Sequence, residues 1–188
     1  MDEELKSALE EGETVLWQGS PEDFVTLDKT NKKPYIIRVV ITALVCIALI
    51  VTYRAATIPD NNFKPALAAV IAAFGVLIAS STFLDARKIR KQKYCITDKK
   101  LIWINDSTKK IPFETIKEYL FSTDEDDHTS LLIGADAVKR KSSKWRSLAA
   151  SSVYMNEETG TCDQAVFYAI PKAERFKIIF EDQLQKKA

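Results

Sequence analysis

Two runs of almost unbroken apolar side chains, Tyr35–Tyr53 and Pro65–Leu84, constrain this chain more than any other feature. A helix of about nineteen residues, rising about 1.5 Å at each, covers a hydrocarbon core of about 30 Å. Each large aliphatic residue of the first run favours insertion by roughly 0.3–0.6 kcal/mol near the bilayer centre. Arg38 opposes insertion, but it lies one turn from the end, where a long side chain can carry its charge to the interface. Tyr35 and Tyr53 occupy the two ends, the level at which aromatic rings favour the headgroup region. A buried helical pair inside a soluble core is the competing reading. It is weaker, because the two runs carry only Arg38 as a charge between them.

The second run is rich in small residues. Ala68 and Ala72, Ala69 and Ala73, and Gly75 and Ala79 each stand four positions apart on one helix face, which lets helix backbones approach closely in lipid. Packing against the first run is the expected use; dimerisation or a partner helix is the alternative. The connection Arg54–Lys64 contains Ile58-Pro59-Asp60-Asn61-Asn62, a turn sequence too short for a domain. Lys29, Lys32, Lys33, Arg87, Lys88, Arg90, Lys91 and Lys93 flank one side, against Arg54 and Lys64 on the other. The positive-inside rule therefore predicts a hairpin (35–84, with spans 35–53 and 65–84) and both termini in the cytoplasm. The acidic start, Met1-Asp2-Glu3-Glu4, lacks the basic region of a cleaved signal peptide, so the first run is expected to stay as an anchor.

Outside these runs the 188-residue chain is polar, and its net charge of +1 gives no drive toward nucleic acid. Cys46, Cys95 and Cys162 share no ligand spacing, which argues for inert thiols in a reducing compartment and against a metal site. The one histidine, His128, stands in Asp124-Glu125-Asp126-Asp127-His128, read as an exposed acidic turn. A divalent cation is the other use of such a run, but the spacing is not that of a calcium-binding loop. No nucleophile elbow and no phosphate-cradling glycine loop is present, so neither catalytic residues nor a cofactor are expected.

From Gln92 the pattern turns to period two. Lys93–Thr97 and Leu101–Ile104 are rich in aromatic and β-branched residues around the turn Asp98-Lys99-Lys100. Lys110–Phe113 reads as an edge strand, since Pro112 has no N–H for a ladder. Ile116–Phe121, Ser130–Ile133 and Gln164–Ile170 are further strands. Residues 135–161 form an irregular insertion, with either a short helix around Trp145–Ala150 or strands with long loops. Phe176, Ile179, Phe180 and Leu184 make the apolar stripe of a C-terminal helix that starts near Pro171. The expected fold is a membrane α-helical hairpin plus an α+β domain over 92–188, preceded by a cytoplasmic segment 1–34.

Gly12-Glu13-Thr14-Val15-Leu16-Trp17-Gln18-Gly19-Ser20-Pro21 resembles the lead-in of bacterial membrane proteins that carry a pleckstrin-homology-like domain. Tyr94-Cys95-Ile96-Thr97-Asp98-Lys99-Lys100-Leu101 is similar to the strand pair that follows the two spans in that family. Ile111–Ile116 and Phe167–Leu184 resemble its later segments. The resemblance covers most of the chain except 135–161. It implies a small antiparallel β-barrel capped by the C-terminal helix, in a multi-pass protein of the bacterial cytoplasmic membrane. It carries no inositol-lipid site, because the basic arrangement of the first hairpin shrinks here to Asp98-Lys99-Lys100.

Two basic clusters remain. Arg87, Lys88, Arg90, Lys91 and Lys93 set topology or touch anionic headgroups. Lys139, Arg140, Lys141, Lys144 and Arg146, with Trp145 beside them, form a solvated loop or a contact with anionic lipid or an acidic partner. The expected function is a non-enzymatic, membrane-anchored binding or scaffold module with a membrane or cytoplasmic protein partner. An anionic-lipid sensor and an accessory subunit of a transport or envelope complex are the alternatives.

Overall fold

The computed structural model describes residues 3–58, 63–105, 107–151, 153–156 and 158–187. The turn expected at Pro59–Asn62 lies outside them. The chain divides into two compact units, one made of Met1–Val25 with Asp85–Ala188 and the other of Thr26–Leu84.

The second unit is a pair of helices. The label α1 goes to the first helix of the chain, Glu3–Ala8; the long helices are α2, Lys29–Thr57, and α3, Pro65–Arg90. Asp28 caps α2, its carboxylate accepting the Asn31 N–H at 3.0 Å. Both helices are long and apolar enough to cross a membrane, and Leu44, Ile47, Phe74 and Val76 lie exposed on them. The helices continue past the apolar runs into polar residues at both outer ends. They run antiparallel. The Tyr35 and Phe83 rings meet edge to face at 5.7 Å, and the Tyr53 hydroxyl accepts the Lys64 N–H at 3.0 Å. Arg38 donates to the Thr82 hydroxyl of the facing helix, a partner that the snorkelling expectation did not include.

Of the small residues, Ala68, Gly75 and Ala79 are half-buried, whereas Ala69 and Ala73 are exposed. A Cβ on Gly75 would stand 2.9 Å from the Cys46 sulfur, so α2 passes where glycine leaves room. Ala72 is exposed and edges the groove beside Thr42 and Cys46.

The first unit holds two antiparallel sheets. Strands β1 (Val15–Gly19), β2 (Lys93–Thr97), β3 (Lys100–Ile104) and β4 (Thr108–Pro112) form one in that order. A 3-10 turn at Phe113–Thr115 leads to the other, built from β5 (Tyr119–Thr123), β6 (Thr129–Ile133), β7 (Tyr154–Met155) and β8 (Cys162–Phe167), in the order β5-β6-β8-β7. Residues 1–34 are thus not one separate segment, because their Val15–Gly19 pairs with Tyr94–Thr97. Pro112 sits on an edge strand, as its missing N–H requires. The expected strands Ile116–Phe121 and Gln164–Ile170 each lie two or three residues from their observed positions.

Trp17, Tyr94, Ile96, Leu101, Leu131, Ile133 and Phe167 form the core with the C-terminal helix. Phe176 and Phe180 of that helix enter it, with Phe176 edge to face on Trp17 at 4.7 Å. Burial of each such ring is worth roughly 1.5–3 kcal/mol. The helix is Ala173–Lys187, two residues later than Pro171. On the outer face of the first sheet, Leu5 and Ala8 of α1 cover Cys95, Ile102 and Ile104. The region 135–161 is not irregular throughout: it contains helices α4 (Ala135–Val138) and α5 (Ser142–Ala150) and strand β7, and the C-terminal helix is therefore α6. The sheets do not close into a barrel.

Candidate functional site

Within the first unit, buried Arg146 reaches Val25, one of the two points at which the chain leaves the unit. The outer face of β6 and β8 supplies Leu132 and Val166. Against it lie Trp145, Ala149 and Ala150 of α5, and Ala86 and Ile89 of the last turns of α3. This packing carries Arg146, beside Trp145, into the interior, where it is 4 % exposed.

A buried guanidinium costs several kcal/mol unless its N–H groups are met. Nη1 of Arg146 donates to the Val25 carbonyl at 2.9 Å, and Nη2 donates to the Tyr168 hydroxyl, also at 2.9 Å. Its Cζ lies 4.4 Å from the centre of the Phe24 ring and 5.1 Å from that of Tyr168. Arg90 serves the same segment, donating to the Phe24 carbonyl at 2.9 Å with its Cζ 4.9 Å from the ring centre. Two cations therefore hold the backbone at Phe24–Val25.

Tyr168 passes the network on, its hydroxyl donating to the Asp124 carboxylate at 2.7 Å. The other Asp124 oxygen accepts the Asp126 and His128 N–H groups, both at 3.0 Å. Glu125 and Asp127 of the acidic turn are exposed, as expected from composition, but Asp124 is buried and His128 half-buried. The turn folds inward because Asp124 closes it and meets Tyr168 at once. His128 Nδ1 lies 3.4 Å from that carboxylate. A second chain of bonds runs parallel: Gln92 Nε2 donates to the Ala149 carbonyl at 2.6 Å, and the Tyr94 hydroxyl donates to Gln92 Oε1 at 2.8 Å. Burial pushes both the Tyr94 and the Tyr168 phenols up from their ordinary value, so each works as a neutral hydroxyl.

Lys139, Arg140, Lys141 and Lys144 are exposed, as are Arg87, Lys88 and Lys91, while Lys93 is half-buried. Trp145 and Arg146 depart from the expected set: both are buried, and neither reaches a surface that lipid could touch. The Trp145 indole N–H donates instead to the Arg140 carbonyl at 3.0 Å. The sequence does hold a signal for this. Trp145 and Ala149 stand four apart, the spacing of one buried helix face, and Arg146 borders it.

The segments that carry the family resemblance meet in a second cluster. Thr14 N–H donates to Asp98 Oδ1 at 2.9 Å, and Asp98 N–H returns a bond to the Thr14 carbonyl at 3.1 Å. Thr97 Oγ1 donates to Glu13 at 2.6 Å, and Lys100 Nζ reaches Glu13 at 3.1 Å and Glu10 at 2.5 Å. Burial works to raise the Glu13 carboxyl, but bonds from Thr97, the Glu10 backbone and Lys100 outweigh it and hold the group below its ordinary value. Lys99 also lies 3.5 Å from Glu10, so both turn lysines are turned to glutamates. Burial pushes the Cys95 and Cys162 thiols up to about 12 in each case. Neither is a nucleophile at neutral pH. Comparison with models of protein families, with curated proteins and with solved structures gives no match for this chain.

Proposed function

We propose that this chain is a non-enzymatic scaffold, anchored in a bacterial cytoplasmic membrane by α2 and α3, that presents a pleckstrin-like domain to a protein partner in the cytoplasm. The observation that carries the proposal is the pair of long apolar helices with exposed aliphatic faces, joined at both outer ends to the folded unit. The basic residues at those ends, against only Arg54 and Lys64 near the connection, support cytoplasmic placement of the unit. Two antiparallel sheets around an aromatic core, with α6 inserted through Phe176 and Phe180, support the pleckstrin-like reading. So does the union of the lead-in with the β2–β3 turn through Glu13, Thr97 and Lys100. The interior polar groups bind backbone at Val25, Phe24 and Ala149, which fixes those points within the folded unit.

Topology is tested by reporters fused at Asn61 and after Ala188, with a periplasmic signal expected at the first and a cytoplasmic one at the second. A cytoplasmic signal at Asn61 would refute the hairpin. In-membrane crosslinking with mass spectrometry tests the scaffold role, and recovery of no stable protein partner counts against it.

A further inference from the structure

We infer that the free edge of β5 is a self-association surface, where β5 of a second copy of this chain pairs antiparallel about a two-fold axis at Phe121. Only the folded unit takes part, so the contact does not depend on the membrane reading. β5 is the end strand of its sheet, with β6 on one side only. Bonds at the two ends of that pair fix which groups face outward. The Gly134 N–H donates to the Glu118 carbonyl at 2.8 Å, and the Asp124 N–H donates to the His128 carbonyl at 3.1 Å. Bonded pairs alternate along an antiparallel ladder, so Leu120 and Ser122 also bond β6. Tyr119, Phe121 and Thr123 therefore turn their N–H and C=O groups away from β6. Among the described residues no strand lies beside them.

The end strand of the other sheet is guarded. On β4 the bond from the Asn105 N–H to the Ser107 carbonyl puts Thr108, Lys110 and Pro112 on the outward side by the same alternation. An exposed lysine and a residue without an N–H both discourage a further strand. β5 has neither: Tyr119-Leu120-Phe121-Ser122-Thr123 is uncharged, and Leu120 is 42 % exposed. An axis at Phe121 gives the one antiparallel register that overlaps all five residues. It exchanges bonds between the two Phe121 residues and between Tyr119 and Thr123 of opposite copies, and it sets Leu120 across from Ser122. Glu118 falls opposite Asp124, whose carboxylate is turned inward to Tyr168. Exposed Lys117 of each copy falls opposite exposed Glu125 of the other, so opposite charges meet at both ends. That match favours a second copy over an unrelated strand.

The test is disulfide crosslinking of the full chain in detergent, with Cys46→Ala so that buried Cys95 and Cys162 are the remaining native thiols. Leu120→Cys and Ser122→Cys in one chain place thiols directly across from each other in this register, within disulfide reach. Either substitution alone sets its two copies diagonally, about 7–8 Å apart, at or beyond that reach. The double variant is expected to give at least about fivefold more oxidised dimer than either single one. No dimer from it, or equal dimer from all three, overturns the inference. So does a crosslink formed before purification to a chain of different mass, which would assign the edge to another protein. If the double variant misfolds, sedimentation of chains with native cysteines decides. The wild-type chain is expected to dimerise, K117E to weaken the dimer about tenfold, and K117E with E125K to restore it. A wild-type monomer, an indifferent K117E or a failed rescue overturns the inference.

Discussion

The guanidinium of Arg146 binds the hydroxyl of Tyr168 at 2.9 Å inside the folded unit, and Tyr168 in turn binds Asp124. One cation, one neutral phenol and one carboxylate thus fasten α5 to the end of β8 and to the β5–β6 turn. Removal of the cation leaves the Val25 carbonyl and the Tyr168 hydroxyl without that donor. Arg146→Met is expected to destabilise the folded unit by about 3–5 kcal/mol. Arg146→Lys should recover less than half, since an ammonium cannot fork to two acceptors and stack on Phe24 together. Thermal unfolding of the full chain in detergent measures both; a loss below about 1 kcal/mol for Arg146→Met sinks the idea.

The helix pair makes a separate prediction at Gly75. Its missing Cβ would stand 2.9 Å from Cys46 Sγ, so any side chain there pushes on that sulfur. Gly75→Val is expected to loosen the pair strongly, and Gly75→Ala mildly. Cys46→Ala should relieve most of the cost of Gly75→Ala, with a coupling of about 1 kcal/mol in a double-mutant cycle. Additive effects would place the two residues apart.

The features visible in the sequence are those whose partners are near or whose pattern repeats. The apolar runs, the hairpin Lys93–Ile104 and the stripe Phe176, Ile179, Phe180, Leu184 all declare themselves by period. Val15–Gly19 does not. Its strand partners are Tyr94–Thr97, far along the chain, and five residues beside glutamates show no alternation of their own. Arg146 was hidden for a different reason. In a run of lysines and arginines its charge looks like its neighbours', and only the packing of Trp145 and Ala149 on β6 and β8 takes it out of water. Asp124 looked exposed among acids because its acceptor role depends on Tyr168, which composition does not report.

The cluster of Glu10, Glu13 and Lys100 sets a pH window. Bonds with Lys100 hold Glu10 below 4.5, bonds led by Thr97 hold Glu13 below it against burial, and the two glutamates hold Lys100 above 10.5 against its own burial. The glutamate contribution is complete above about 4.5 and is lost as pH falls through their lowered folded values. The Lys100 contribution is complete below about 10.5 and is lost as pH rises through its raised folded value. Stability should therefore be flat between these limits and fall on both sides. Lys100→Met should lower the plateau by about 1–3 kcal/mol and flatten the acid limb, because without its cation buried Glu13 is held less far below its unfolded value and less stability remains to be lost on protonation. A melting temperature unchanged from pH 3 to pH 7, expected to fall by several degrees at the acid end, would contradict this assignment.

The two buried thiols offer a kinetic check. With Cys95 and Cys162 pushed up to about 12, the thiolate fraction at pH 8 is of order one in ten thousand, and access is closed as well. Native protein at pH 8 is expected to leave both unmodified by iodoacetamide for hours, and urea should expose them together. Mass spectrometry after tryptic digestion reads each site. Rapid labelling of Cys95 in native protein would mean that Leu5 and Ala8 of α1 do not cover it.

Gly134 separates backbone strain from side-chain loss. It joins β6 to α4 with φ at 88°, and its N–H donates to the Glu118 carbonyl at 2.8 Å. A Cβ there would lie 2.1 Å from the Asp163 carbonyl oxygen, which is backbone and belongs to β8. Either the strand or the turn must move, and the left-handed conformation already disfavours any L side chain. Gly134→Ala is expected to cost about 2–4 kcal/mol although it adds a single methyl group. The loss should reach Arg146 through α4 and α5, so near-ultraviolet dichroism of Trp145 ought to change before the far-ultraviolet signal on heating. Gly160, also at positive φ but with no atom near its missing Cβ, provides the control: Gly160→Ala should cost only about 1 kcal/mol. Equal costs at the two positions would mean that conformation alone, and not the approach of β8, demands glycine at 134.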